Sequence, residues 1–280
     1  MSAAGTVLDR RPFFHEHGGR SLYFLHFPAP GGAARGGAVF FAPFAEEMNR
    51  SRRMATLLGE ALAARGLETL VFDCSGTGDS AGEFAAARWD DWESEGAAAA
   101  NWLAGRIGGK VTAVGLRTGA ALALAAARAP EAPVARLVLW QPVASGQVFL
   151  TQLLRLRLAA ALGDATRGET TKALRERLAA GETIEIAGYD LAPAMADALD
   201  AIRLADVPPP EGCPAAWLEV AAAGGATSPA GRAVLERWRG AGAAVAEAVV
   251  EGPQFWAIQE TTTAPALIEA TVRLIADATP

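Results

Sequence analysis

Histidine is nearly missing from this sequence. The chain of 280 residues holds three, His15, His17 and His26, all close to its start. A mechanism that relies on an imidazole base further along the chain is therefore excluded. Cysteine is scarcer still: Cys74 and Cys213 stand far apart with no Cys-x-x-Cys spacing, which excludes a disulfide framework and a zinc site of the usual pattern. No metal and no cofactor is expected. No apolar run approaches the ~18 residues of a membrane span, and the opening MSAAGTVLDRRPFF lacks the apolar centre of a signal peptide. A cytoplasmic protein without a transmembrane segment is the expectation. The formal charge of −6 leaves little room for a nucleic-acid partner, since phosphate binding needs a basic face.

What is present is material for a core. Apolar residues make up 51% and charged residues 20%, which fits a folded α/β chain and not a disordered one. Ser21–Pro28 (SLYFLHFP), Ala38–Pro43 (AVFFAP), Leu67–Asp73, Val111–Gly115, Ala135–Gln141, Ala215–Val220 and Ala244–Val250 have the short apolar pattern of strands. Helical patterns fall at Arg53–Arg65, within Ala85–Ile107, up to Arg128, around Pro229–Arg239 and from about Thr262 to Ala276. Strands alternating with amphipathic helices predict a mostly parallel sheet covered on both faces. The rhythm breaks between Gln141 and Cys213. Residues 148–180 have a helical pattern, Thr183–Ile186 suggests a short strand, and Val207-Pro-Pro-Pro-Glu-Gly212 resembles a linker. Residues 145–212 are expected to form a cap inserted into a core made of residues 1–144 and 213–280.

The stretch VTAVGLRTGAALAL, Val111–Leu124, runs from a strand through a sharp turn into a helix of small residues. A Gly-x-Ser-x-Gly turn in that context lifts a serine nucleophile above a sheet. Here the frame is Gly115-Leu116-Arg117-Thr118-Gly119, with arginine where the serine would stand. Taken with the order of its elements, the chain resembles the α/β-hydrolase superfamily over nearly its whole length. The run Ala42-Pro-Phe-Ala-Glu-Glu-Met-Asn-Arg-Ser-Arg-Arg53, the Gly115–Gly119 turn and Gly252-Pro-Gln-Phe-Trp256 resemble the exosortase-A-system-associated hydrolases of the second type. That resemblance implies an α/β-hydrolase fold and a setting in exopolysaccharide synthesis and protein sorting.

Each position of the superfamily's triad departs from the pattern. Arg117 stays protonated and has no lone pair with which to attack. Gln254 stands after the last strand, where the histidine is usual, and takes no proton at working pH. After the preceding strand, Leu218–Gly225 offers only Glu219 as an acid. Gly78-Asp79-Ser80-Ala81-Gly82 satisfies the serine pattern formally. It follows the strand ending at Asp73 by too many residues, however, and resembles the superfamily's structural Asp-x-x-Gly-x-Gly-x-Ser loop.

The loop after Ala38–Pro43 overlooks the elbow in this fold. Glu46 or Glu47 is expected to neutralise Arg117, and Asn49 and Arg52 are placed to touch a ligand. A solvated charged loop leading into a helix is the plainer alternative for this run. Gln141 and Trp256 are candidate walls, while Trp140 is expected in the core. The candidate ligand-binding residues are thus Arg117, Glu46, Glu47, Asn49, Gln141 and Gln254, with no catalytic residue assigned. The expected partner is a small molecule with an acidic head group, and a homo-oligomer is possible. Two functions remain open: a binding or accessory protein of the exosortase system, or a hydrolase of an ester, thioester or acyl-carbohydrate that uses a carboxylate-activated water.

Overall fold

A computed structural model of the chain describes residues 9–160 and 169–277. Its centre is an eight-stranded sheet. The strands are β1 (Arg11–His17), β2 (Arg20–Phe27), β3 (Gly36–Phe41), β4 (Leu67–Phe72), β5 (Val111–Leu116), β6 (Val134–Trp140), β9 (Ala215–Ala221) and β10 (Val245–Glu251). Across the sheet they run in the order β1-β2-β4-β3-β5-β6-β9-β10. β1 and β2 are an antiparallel hairpin, and β2 pairs antiparallel with β4. From β4 onward every pair is parallel. β5 lies in the middle and is buried at all six of its positions, as a parallel strand covered on both faces must be.

Helix α1 (Glu46–Ala63) and α8 (Pro265–Ala276) cover one face. Met54, Leu58 and Leu62 of α1 meet Leu267, Val272 and Ile275 of α8 over Phe40, Val138 and Trp140. The other face carries α2 (Trp89–Ile107), α3 (Gly119–Arg128) and α7 (Pro229–Gly240). Several tryptophan indoles are fixed by hydrogen bonds as well as by packing. Trp140 Nε1 donates to Thr271 Oγ1 at 2.8 Å, which places it in the core as the sequence indicates. Trp238 Nε1 donates to the Leu204 carbonyl at 2.7 Å.

Between β6 and β9 the chain forms α4 (Gly146–Ala160), α5 (Thr171–Ala179), the hairpin β7 (Ile184–Ile186) and β8 (Tyr189–Leu191), and α6 (Pro193–Ala201). Part of the expected helical stretch 148–180 lies outside the described residues. The sequence pattern shows β7 and misses both β8 and α6. Among the described residues no helix is long and apolar enough to cross a membrane.

One boundary differs in a way that matters. The sequence pattern starts the first helix at Arg53, whereas it begins at Glu46. The run Glu46–Arg53 is two helical turns, with Met48 and Ser51 buried and continuing into Met54 and Ala55 on the same inward face. Glu46 and Glu47 sit in the first turn, where the positive end of the helix favours carboxylates.

Candidate functional site

The elbow is built by close approach. A Cβ on Gly119 would stand 2.2 Å from the Phe41 carbonyl oxygen and 2.6 Å from that of Ala42. A Cβ on Gly115 would stand 2.6 Å from Ala120 Cα. Only glycine lets α3 start this near to β3 and β5. The middle residue carries the turn's backbone strain, because Arg117 has φ of +55°, in the left-handed region that side chains disfavour. Its backbone holds it there: the N–H donates to the Trp140 carbonyl at 2.9 Å, and its own carbonyl accepts from Ala120 and Val143.

That geometry aims the Arg117 side chain into a cavity of about 420 Å³. α1 contributes Glu46, Glu47 and Arg50, with Phe44 and Ala45 just before it. α4 contributes Phe149, Leu153 and Leu156, the β7–β8 hairpin contributes Ile186 and Tyr189, and the loop after β10 contributes Gln254 and Trp256. The walls are mostly apolar. The guanidinium lies between two rings, its Cζ 5.8 Å from the centre of Phe149 and 5.6 Å from that of Trp256. Both distances are within the range of cation–π attraction.

Glu47 is the counter-charge. Both of its oxygens lie 3.3 Å from Arg117 Nε, and Arg117 Nη1 reaches the Gln141 carbonyl at 3.5 Å. These are long contacts. Arg117 Nη2 makes no hydrogen bond among the described residues, so the end-on edge of the guanidinium keeps donors for something else. Burial pushes the Glu47 carboxyl up from its ordinary range, and the nearby Arg117 charge only partly opposes this.

The remaining candidates divide. Glu46 lines the cavity and accepts from Asn49 Nδ2 at 3.1 Å and Arg50 Nε at 3.4 Å, leaving Arg117 to Glu47 alone. Gln254 lines the cavity, exposed and with no side-chain hydrogen bond among the described residues. Gln141 is a correction. Its side chain points away from the cavity, and its Oε1 accepts from the Val220 N–H at 2.9 Å, tying β6 to β9. Asn49 is exposed and does not line the cavity itself, and it donates to Tyr189 Oη at 2.8 Å. Arg52 pairs with Asp73 at 3.0 Å, away from the elbow.

Neither spare triad candidate is free for chemistry. Glu219 Oε1 accepts from Trp217 Nε1 at 2.8 Å and Ser228 Oγ at 2.9 Å, and its Oε2 accepts from the Ser228 N–H, so the carboxylate serves to start α7. Ser80 Oγ donates to the Asp73 carbonyl at 2.6 Å and accepts from the Tyr23 N–H at 2.8 Å. It is a buried brace between β2 and the loop after β4, as its sequence context implies. Tyr189, Phe44, Phe84 and Phe149 are the wall residues that the sequence does not single out. Tyr189 left a faint signal, being one of only two tyrosines in the chain.

Strand order, parallel pairing and the strand–elbow–helix at Arg117 together define an α/β-hydrolase fold. A family model described as X-Pro dipeptidyl-peptidase (S15 family) matches residues 4–200, and the chain belongs to that family. A comparison with curated proteins finds no match. Among solved structures it is similar to Est1E from Butyrivibrio proteoclasticus with ferulic acid bound, at 15% identity over 95% of this chain and 96% of that one, TM-score 0.62. It is also similar to a proline iminopeptidase-related protein from Thermus thermophilus, at 17% identity over 98% and 99%, TM-score 0.62. Alpha/beta hydrolase domain-containing protein 10 from mouse is similar at 17% identity over 95% and 97%, TM-score 0.61. At these identities the likeness is one of fold.

Proposed function

We propose that this member of the hydrolase fold holds a small organic anion without covalent attachment, as a binding or accessory protein rather than a serine hydrolase. The observation that carries this reading is Arg117 itself. A guanidinium stands at the elbow, flanked by Phe149 and Trp256, with Nη2 unused among the described residues. End-on, such a fork suits a carboxylate or a phosphate. Gln254 replaces the usual base with a neutral amide that does not repel an anion. Residues 145–212 act as the cap and take up an acyl or other apolar body against Leu153 and Leu156. The resemblance of the 42–53 run to exosortase-associated proteins supports a role beside exopolysaccharide synthesis.

Calorimetric titration with fatty acids, acyl phosphates and sugar phosphates tests the reading. Binding that disappears in Arg117→Gln supports it, and absence of binding by all three classes overturns it. A second reading rests on Glu47, whose carboxyl is pushed up by burial beside a cation. In that reading Glu47 takes a proton from a water whose oxygen attacks an ester carbonyl, with Arg117 facing the developing oxyanion. Turnover of p-nitrophenyl esters that resists a fluorophosphonate and vanishes in Glu47→Gln would favour it.

A further inference from the structure

The hydrogen bonds at the rim of the cavity have a direction. As a carboxylate, Glu46 only accepts. Asn49 meets its Oε2 at 3.1 Å, so the amide turns its NH2 group toward Glu46, which settles an orientation that shape alone leaves open. The same Nδ2 lies 2.8 Å from Tyr189 Oη. Its second hydrogen goes to the phenol oxygen. Tyr189 is therefore the acceptor in that contact and keeps its own proton. Tyr189 lines the cavity, its hydroxyl makes no other hydrogen bond among the described residues, and its ring packs edge-on against Phe84 at 4.9 Å. The relay Asn49-to-Tyr189 thus presents one O–H donor to the cavity from β8, on a different element from the elbow.

Besides the amide of Gln254, the site accordingly has two sets of donors, the free edge of Arg117 and the hydroxyl of Tyr189. The rings of Phe44, Phe84, Phe149 and Trp256 line the same cavity. We infer that Tyr189 determines specificity, and that the ligand is an aryl carboxylate whose ring carries an oxygen acceptor away from the acid group. The carboxylate sits on Arg117, the ring lies among the aromatic side chains, and the ether, carbonyl or phenol oxygen accepts from Tyr189. A plain fatty acid offers Tyr189 nothing to bond. A sugar phosphate would bring hydroxyls against apolar walls, where losing their water is costly. Aromatic bodies suit ring edges and faces in the edge-on contacts these side chains already make. The inference rests on the anion reading of Arg117 and adds the body and the second contact.

Two probes isolate the second contact. para-Methoxyphenylpropanoate and para-ethylphenylpropanoate share size and charge and differ by an ether oxygen against a methylene. Calorimetry should show the wild type binding the methoxy acid about three- to tenfold more tightly, the usual range for one neutral hydrogen bond. In Tyr189→Phe the two should bind equally. Asn49→Leu should narrow the ratio, because the tyrosine proton is then free to turn to Glu46. Arg117→Gln should weaken both acids alike. The ratio is internal to each variant, so partial loss of folded protein does not distort it. Equal binding of the two acids by wild type, with both still dependent on Arg117, overturns the role of Tyr189 and leaves the anion reading intact. A preference that survives Tyr189→Phe does the same. Octanoate binding more tightly than either aryl acid overturns the aromatic class. No binding of any of the three probes overturns the aryl-carboxylate inference, and the anion reading is then decided by the acyl phosphate and sugar phosphate titrations.

Discussion

Two five-residue turns in this molecule look alike in sequence and are opposites in structure. Gly78-Asp79-Ser80-Ala81-Gly82 has the serine of a hydrolase elbow and none of its geometry. Both of its glycines take left-handed backbone angles, with φ of +53° at Gly78 and +108° at Gly82, Gly78 also lies hard against the Asp73 carboxylate, and its serine is buried in a brace. Gly115-Leu116-Arg117-Thr118-Gly119 lacks the serine and keeps the geometry. There the middle residue takes the left-handed angle, and the glycines are there for close approach. The same letters do different work according to which residue carries the strain. A pattern of residue types does not separate the two, whereas the strand end before each turn does, because β5 runs straight into its elbow and β4 stops well short of Gly78.

The largest expected effect tests the close approach. Gly119→Ala drives a Cβ into two backbone carbonyls that have nowhere to go. The cost is expected on the order of 3 kcal/mol or more, which for a chain of this size lowers the melting temperature by roughly 10 °C. Gly105→Ala is the control. Gly105 lies in an exposed part of α2 with nothing within 4 Å of an added Cβ, and alanine there should raise stability by up to about 1 kcal/mol. Thermal denaturation of both variants checks this. Equal melting temperatures for the two would mean that α3 does not start where its packing against β3 places it.

The next pair crosses stability with binding. Ser80→Ala removes a buried donor and acceptor together, leaving the Asp73 carbonyl and the Tyr23 N–H unpaired, at about 1–3 kcal/mol. It should leave anion binding untouched, and no fluorophosphonate should label Ser80. Arg117→Ala should abolish anion binding and cost stability as well. Both side chains of the Arg117–Glu47 pair are mostly shielded, at 16% and 20% exposure, so its loss is expected to cost about 1–2 kcal/mol, between a surface pair and a buried one. Part of that returns in the double variant with Glu47→Ala, while binding is abolished in both. If Ser80→Ala abolishes binding, the two turns have been assigned the wrong way round.

The fold was legible because parallel strands buried on both faces announce themselves as short apolar runs, and the amphipathic helices between them fix the layers. The candidate site was legible in its charge and not in its walls. Arg117 stands out because the turn around it is so constrained, and Glu46 and Glu47 because acidic residues precede an apolar helical pattern. Gln141 was misplaced because nothing in sequence tells whether a residue after a strand turns to the cavity or back to its neighbour. With φ of +43°, it turns back to β9. Tyr189 was missed because its position depends on a hairpin of two three-residue strands, too short for any alternation to register.

The smallest expected effect separates the turns by pH. Burial pushes the Glu47 carboxyl above its ordinary 4.5, more than Arg117 pulls it down. The folded protein therefore holds a proton on Glu47 at pH values where the unfolded chain has released it. The stability this adds is fully present below the unfolded value and is lost as the pH rises through the folded one. Glu47→Gln has no such proton. Relative to that variant, the wild type should lose stability as the pH climbs above about 4.5, by under about 1 kcal/mol for a pair that keeps some solvent. Removing the cation removes the downward pull, so in Arg117→Ala the decline should extend to higher pH. Ser80→Ala changes no charge and should run parallel to the wild type across the same range. Melting curves at stepped pH for the four proteins measure all of this. A constant difference between wild type and Glu47→Gln would mean that Glu47 titrates as an ordinary surface carboxylate, and the elbow's charge would then be as solvated as any exposed pair.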